Sequence, residues 1–222
     1  MVISDINLRG IGMTSQRTRV RLVNLLRQEG IKDERVLEVI RSTPRHIFVD
    51  EALSSRAYEN TALPIGSSQT ISQPYTVARM TELLLGDVIP TTVLEIGTGC
   101  GYQTAILAQL VNKVYSVERI SALLVQARRR FVTLDLHNIQ TRHIDGYGGW
   151  EVNGPYDAII VTAAPLEVPQ ALLEQLTEGG RMIIPVGVAN QQQLKIITKQ
   201  NGEYHYQDCE GVSFVPLLGG RV

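Results

Sequence analysis

The 222-residue sequence predicts a doubly wound α/β fold built on a mostly parallel sheet. Three observations carry this expectation. Short, nearly continuous apolar runs alternate with amphipathic helical stretches, the pattern of βαβ units whose strands are buried on both faces. One such run, Val93-Leu94-Glu95-Ile96, breaks into the alternating glycines Gly97, Gly99 and Gly101 and passes at once into helix-forming residues. The chain then closes on two further strand-like segments around Asn201-Gly202, a dipeptide that favours a type I′ hairpin and adds an antiparallel edge.

The elements follow in order. Residues 1–16 have no clear periodicity up to Gly12 and read as a disordered leader, with Met13 an alternative start. Over residues 17–28, Val20, Val23, Leu25 and Leu26 recur at helical spacing, and Gly30 closes the segment. Asp33 is an N-cap for a second helix with the stripe Val36, Leu37, Val39 and Ile40, stopped at Thr43-Pro44. Residues 48–74 read as a long irregular loop, too well anchored by Tyr58, Leu63, Ile65, Ile71 and Tyr75 to be disordered and therefore functional. A helix over residues 76–85 leads into the first strand, and a second helix follows its glycine bend over residues 103–110. Strands are expected over residues 113–118, 139–143, 156–161 and 181–186, and helices over 121–134 and 168–176, the latter ended by Gly179-Gly180. The hairpin pairs residues 193–198 with 204–210. Residues 17–222 thus form a single domain, 17–90 contributing N-terminal helices and the loop, 91–222 the sheet and hairpin.

Composition narrows the function classes. A hydrophobic content of 44%, a charged content of 19% and a net charge of −1 describe an ordinary globular chain with no global field for nucleic acid or anionic lipid. Its one basic run, Arg128-Arg129-Arg130, reads as a solvated helix face. No apolar stretch approaches the ~20 residues needed to span a bilayer, and Cys100 and Cys209 offer neither a disulfide framework nor metal spacing. The histidines are scattered, so no metal site is expected, and the location expected is the cytoplasm.

The glycine bend is the chemical centre. Without a Cβ, Gly97, Gly99 and Gly101 let the backbone turn tightly and lie against a flat ligand. A dinucleotide fingerprint aims a helix N-terminus at a pyrophosphate and has no acid in its strand. Here Glu95 stands just before the bend, where it repels a diphosphate and suits a cation. The cationic cofactor that also carries an adenosine is S-adenosylmethionine, so the fold expected is Rossmann-like, of the class I methyltransferase kind. Glu118, about twenty residues on at the tip of the next strand, is placed for the ribose hydroxyls. Asp145-Gly146 is placed for the adenine amine, and Thr162 stands at a fourth strand tip around the same crevice.

A resemblance to a known family adds the substrate. The segments Ala62-Leu63-Pro64-Ile65-Gly66 and Gln69-Thr70-Ile71-Ser72-Gln73-Pro74-Tyr75 closely resemble the signature of protein-L-isoaspartate O-methyltransferases. Leu94-Glu95-Ile96-Gly97-Thr98-Gly99, the run from Asp157 to Pro165, Ile184-Pro185-Val186-Gly187 and Phe214-Val215-Pro216-Leu217 are similar to that family's other motifs. The likeness covers about residues 17–218, with Ile144 standing where a glycine commonly precedes the Asp-Gly pair. It implies methyl transfer to the free α-carboxylate of L-isoaspartyl residues in damaged proteins and peptides, initiating repair through a succinimide. By the same resemblance Ser72 is the catalytic residue that orients the carboxylate, helped by backbone amides of its loop. Gln69, Thr70, Ile71, Thr98, Gly99 and Arg119 join the cofactor set, and Ile65, Ser72, Gln73 and Val215 meet the substrate. The peptide is expected to be extended, pairing with residues 65–73 and 212–216, and a monomer is favoured.

Three rival readings stay open on the residues: a methyltransferase for a small molecule or RNA, a cofactor-binding sensor without chemistry, and a nicotinamide dehydrogenase. A lack of basic or aromatic clusters argues against RNA, and the glycine spacing with Glu95 argues against the dehydrogenase.

Overall fold

A computed structural model describes residues 10–222. The helices are α1 (Gln16–Gln28), α2 (Glu34–Ser42), α3 (Pro74–Leu85), α4 (Tyr102–Ala108), α5 (Ser121–Thr133) and α6 (Gln170–Glu174). The strands are β1 (Leu63–Gly66), β2 (Gln69–Ile71), β3 (Thr92–Ile96), β4 (Lys113–Glu118), β5 (Ile139–His143), β6 (Tyr156–Val161), β7 (Leu176–Val186), β8 (Gln192–Gln200) and β9 (Glu203–Val212). The main sheet has the order β5-β4-β3-β6-β7-β8-β9. β5, β4, β3, β6 and β7 run parallel, and β8 and β9 fold back antiparallel.

Chain order fixes the crevice. β3 leads outward to β4 and β5, after which the chain returns to pair β6 on the other side of β3. The winding reverses between β3 and β6, and open sheets of this kind bind ligands beyond the carboxyl ends of the strands at that point. Both faces are covered. Val93, Val114, Ala158 and Ile160 pack under α1 to α5 in one core, while Leu94, Ile96, Ile159 and Val161 pack with Leu172 and Leu173 of α6 in the other.

Local physics explains the borders. The Asp33 carboxylate accepts from the amides of Arg35 and Val36, the N-cap expected of it. Asn201 and Gly202 both sit at positive φ, 54° and 78°, as a type I′ turn requires.

Several elements differ from expectation. Residues 1–9 of the expected leader lie outside the described residues; in its remainder, Gly12–Thr14 forms a 3-10 turn and α1 starts at Gln16. α1 buries Arg19, Leu22, Val23 and Leu26 and leaves Val20 and Leu25 well exposed, because an arginine head group buried by hydrogen bonding displaces the purely apolar stripe. Residues 48–74 are structured: a 3-10 turn at Arg45–Phe48 leads in, and a second at Glu51–Arg56 precedes the β1–β2 hairpin. The helix expected over 168–176 shrinks to α6, and Gly179-Gly180 falls inside β7 at the irregularity where its register with β6 shifts between Leu176 and Arg181. Arg130 leaves the solvated face assigned to it: its guanidinium donates to the carbonyls of Ile47 and Cys100.

Candidate active site

The cleft opens at the predicted switch point, above Ile96 of β3. Gly97 turns with φ 99°, and its amide and that of Thr98 both donate to Val117 O, so the bend is tied to the neighbouring strand β4. A Cβ at Gly97 would come within 2.4 Å of Thr162 Oγ1, which itself donates to the carbonyls of Ile96 and Gly97. Only glycine fits this bend. Gly99, at φ 53°, turns its amide to Glu118 Oε2 at 2.7 Å, while Glu118 Oε1 accepts from Ile120 N at 2.9 Å. Each carboxylate oxygen is thus held by one backbone donor, leaving further lone pairs for a ligand's hydroxyls.

The opposite wall comes from the β1–β2 hairpin. Register pairs Gly66 with Gln69, so the two-residue loop Ser67-Ser68 turns the chain and delivers residues 69–72 over the glycine bend. Ile65, Gln69, Thr70, Ile71 and Ser72 line the cleft together with Gly97, Thr98, Gly99, Glu118, Arg119, Gly146, Thr162 and Val215. The sequence therefore brought thirteen expected site residues to one cavity. Ser72 also lines a second groove, with Gln73, Tyr75, Arg79 and Glu210, that opens on the surface. The two cavities meet at that serine.

Three expected cofactor residues stand elsewhere. Glu95 does not line the cleft. Strand alternation points it to the face of Val93, under α4, where it is fully buried and its Oε2 accepts from Thr104 Oγ1 and Ser116 Oγ at 2.5 Å each. Oε1 has no partner. Burial pushes the Glu95 carboxyl up to about 8, against the opposing pull of the two hydroxyls, so at neutral pH it is mostly protonated and cannot be the anion that selects a cation. Asp145 is likewise not on the cleft wall: its Oδ1 accepts from Tyr147 N at 2.9 Å and its Oδ2 from Gly220 N at 2.6 Å, tethering the C-terminal segment. Gly101 caps α4 with φ 90°, and a Cβ there would strike the Phe131 ring at 2.7 Å; its smallness serves helix packing.

The expected peptide-pairing edge at residues 212–216 is also partly consumed. Phe214 exchanges both backbone hydrogen bonds with the Gln192 side chain, and Ala164 takes Val215 O and supplies the acceptor for Leu217 N. Sequence reasoning missed Tyr102, Gln103, Leu217 and Leu218 on the cleft wall, which carry no signal short of the tertiary contacts. It also missed the C-terminal strap: Arg119 Nε donates to Gly220 O, Val222 N to Arg119 O, Ser121 N to Val222 O and Tyr147 Oη to Leu217 O.

These residues fit an adenosine-bearing cation. Among the described residues Glu118 is the one acid on the cleft wall and Arg119 the one base, so no cluster of cations stands there for a diphosphate. The glycine cradle, held open where a Cβ cannot go, suits a flat ligand lying against backbone. Glu118, not Glu95, is the carboxylate that lines the cleft. Among the described residues no group of three metal-ligating side chains stands together, and no helix is long and apolar enough to cross a membrane.

A seven-stranded sheet with this strand order, a glycine bend at its switch point and an acid at the second strand tip define a class I S-adenosylmethionine-dependent methyltransferase. Comparison with known proteins narrows the class. The family model described as protein-L-isoaspartate(D-aspartate) O-methyltransferase matches residues 17–222. Protein-L-isoaspartate O-methyltransferase of Halorhodospira halophila is 60% identical over 216 residues, 97% of this chain and 98% of that protein. The protein of the same name from Yersinia pestis is 60% identical over 95% of this chain and 100% of its own. Among solved structures, a protein-L-isoaspartate O-methyltransferase superposes with a TM-score of 0.83 at 29% identity, covering 90% of this chain and 66% of that one. A Plasmodium falciparum protein described with the same activity, solved in complex with S-adenosyl-L-homocysteine, gives 0.76 at 27% identity over 89% of this chain and 97% of its own. This chain belongs to the protein-L-isoaspartate(D-aspartate) O-methyltransferase family.

Proposed function

We infer that this chain transfers a methyl group from S-adenosylmethionine to the free α-carboxylate of L-isoaspartyl residues in damaged proteins and peptides. The observation that carries this reading is Ser72, the residue common to the cofactor cleft and to the surface groove. A donor methyl on one side and a peptide on the other can meet only there.

The chemistry asks little of the protein beyond placement. A carboxylate, with an ordinary pKa of about 3.5 to 4, is already ionised at neutral pH and is its own nucleophile. No general base is needed, which accords with a cleft wall that holds no histidine. When bound, S-adenosylmethionine would supply an electrophilic methyl on a sulfonium whose other product is a neutral thioether. Glu118 would receive the ribose hydroxyls, Gly97 and Gly99 would give the flat surface, and Gln69, Thr70 and Ile71 would close the cleft from above. Ser72 Oγ would donate to one carboxylate oxygen and orient the other toward the donor, with the hairpin and the C-terminal strap excluding water. Ile65, Gln73 and Val215 flank the substrate. The ester so formed is a better acyl donor than the acid, and the next backbone nitrogen closes on it to a succinimide with loss of methanol.

The reading places the enzyme in the cytoplasm, supported by the unpaired thiols of Cys100 and Cys209, and favours a monomer with isoaspartyl proteins as its partners. Incubation with methyl-labelled cofactor and an isoaspartyl peptide, set against its aspartyl twin, tests it. Base-labile label in the isoaspartyl peptide alone is the expected result; equal labelling of both, or of neither, overturns it.

A further inference from the structure

Directly behind Ser72 lies a charge that neither the fold nor the mechanism above explains. Arg45 opens the 3-10 turn after Pro44, and its side chain is 0% exposed. Its Nε donates to Ala57 O at 2.8 Å and its Nη2 to Ser72 O at 2.8 Å, while Nη1 is buried with no hydrogen-bond partner. The guanidinium lies 4.8 Å from the centroid of the Tyr102 ring, on the cleft wall. Its titratable neighbours are Tyr102, Cys100 and Tyr58, none of them a carboxylate.

Such a cation is expensive. A guanidinium keeps its proton in proteins, and a buried charge is normally paired. Two carbonyls and a ring face recover part of the cost, but no anion of the chain pairs with this one among the described residues. The unmatched charge lies one peptide group from the junction of cleft and groove. The carbonyl it grips belongs to the same peptide unit as the Gln73 amide, and hydrogen bonding at one end of a peptide polarises the other. Gln73 in turn caps α3, whose positive end faces the same spot.

We propose that Arg45 is a positioning residue that clamps the Ser72 backbone and supplies the buried counter-charge for the substrate's carboxylate, so that the anion, and not its neutral amide, completes the site. This rests on the isoaspartyl reading above. It makes the enzyme's preference for an ionised acceptor a property of a residue the substrate never touches.

The test compares an isoaspartyl peptide with the same peptide carrying an α-carboxamide, each titrated into the full-length protein saturated with S-adenosylhomocysteine. The wild type is expected to bind the carboxylate form at least about tenfold more tightly, and Arg45→Met to reduce that preference about tenfold while S-adenosylhomocysteine affinity stays within about twofold. Arg45→Lys keeps the charge but cannot span both carbonyls, so it should retain the preference within about threefold and lose about tenfold in kcat. A merely structural clamp would weaken both peptides equally. An unchanged preference in a folded Arg45→Met protein overturns the proposal, and if that variant does not fold, loss of the preference in Arg45→Lys does so. Should the wild type fail to methylate the isoaspartyl peptide at all, the functional reading falls first, and the two failures are thereby told apart.

Discussion

Glu95 and Glu118 are acids near the ends of adjacent parallel strands, yet only Glu118 reaches the cleft. The difference is one of side-chain alternation: Glu95 falls on the helix-covered face opposite Ser116, and Glu118 falls at the tip, where the strand ends and the bend begins. Glu118→Ala should weaken S-adenosylhomocysteine binding about 10- to 100-fold in a calorimetric titration, the value of hydrogen bonds to a charged group. Ser72→Ala should lower kcat by a similar factor and leave that affinity within about twofold, since its hydroxyl faces the acceptor. Glu95 reports through pH instead. Its carboxyl is raised from 4.5 to about 8 in the folded state, so the native protein holds a proton that the unfolded chain has lost. That contribution is complete below about pH 4.5 and is lost as pH rises toward 8, at up to about 1.4 kcal/mol per pH unit. Glu95→Gln should flatten urea-measured stability across that window, and an unchanged slope would show that Glu95 is ionised in the fold.

The β1–β2 hairpin forms one wall of the cleft, and its loop is under local strain. Ser67 and Ser68 both lie at positive φ, 51° and 55°, a region that costs an ordinary residue about 1–2 kcal/mol. Replacing the pair by Asn-Gly, the residues this turn prefers, should stabilise the protein by about 1 kcal/mol, seen as a higher midpoint in urea with unchanged slope. The two-serine loop hid the hairpin from the sequence. A turn signal of Asn-Gly was legible at residues 201–202 and gave the β8–β9 hairpin, whereas serines carry no such mark and the stretch read as irregular. The central strands β3 and β6 were legible for the opposite reason, since burial on both faces leaves a nearly unbroken apolar signal. The glycines at 179–180 fall where the β6–β7 register shifts between Leu176 and Arg181, and regular pairing of β7 on both edges begins at Arg181, where the sequence placed the strand.

Across the whole molecule, the cleft is closed by chain from its far end. Asp145, Arg119 and Tyr147 hold the segment that follows Pro216, whose Leu217 and Leu218 line the cleft. Asp145→Ala should therefore weaken cofactor-product binding about as much as removal of residues 219–222. The two changes combined should show strong non-additivity, little loss beyond either alone, as two ends of one contact do. Full additivity would return Asp145 to direct contact with the adenine.

The sequence by itself determined the doubly wound sheet, the place of the bend and the family, because periodicity, glycine spacing and motif strings are local properties of the chain. Tertiary structure alone decided which carboxylate faces the cleft, where a buried arginine places its charge and how the C-terminal strap is held at the cleft. Those outcomes depend on which face of a strand a neighbour covers and on contacts between residues distant along the chain. Burial, which turns Glu95 from an anion into a neutral acid, exists only once the helices have packed.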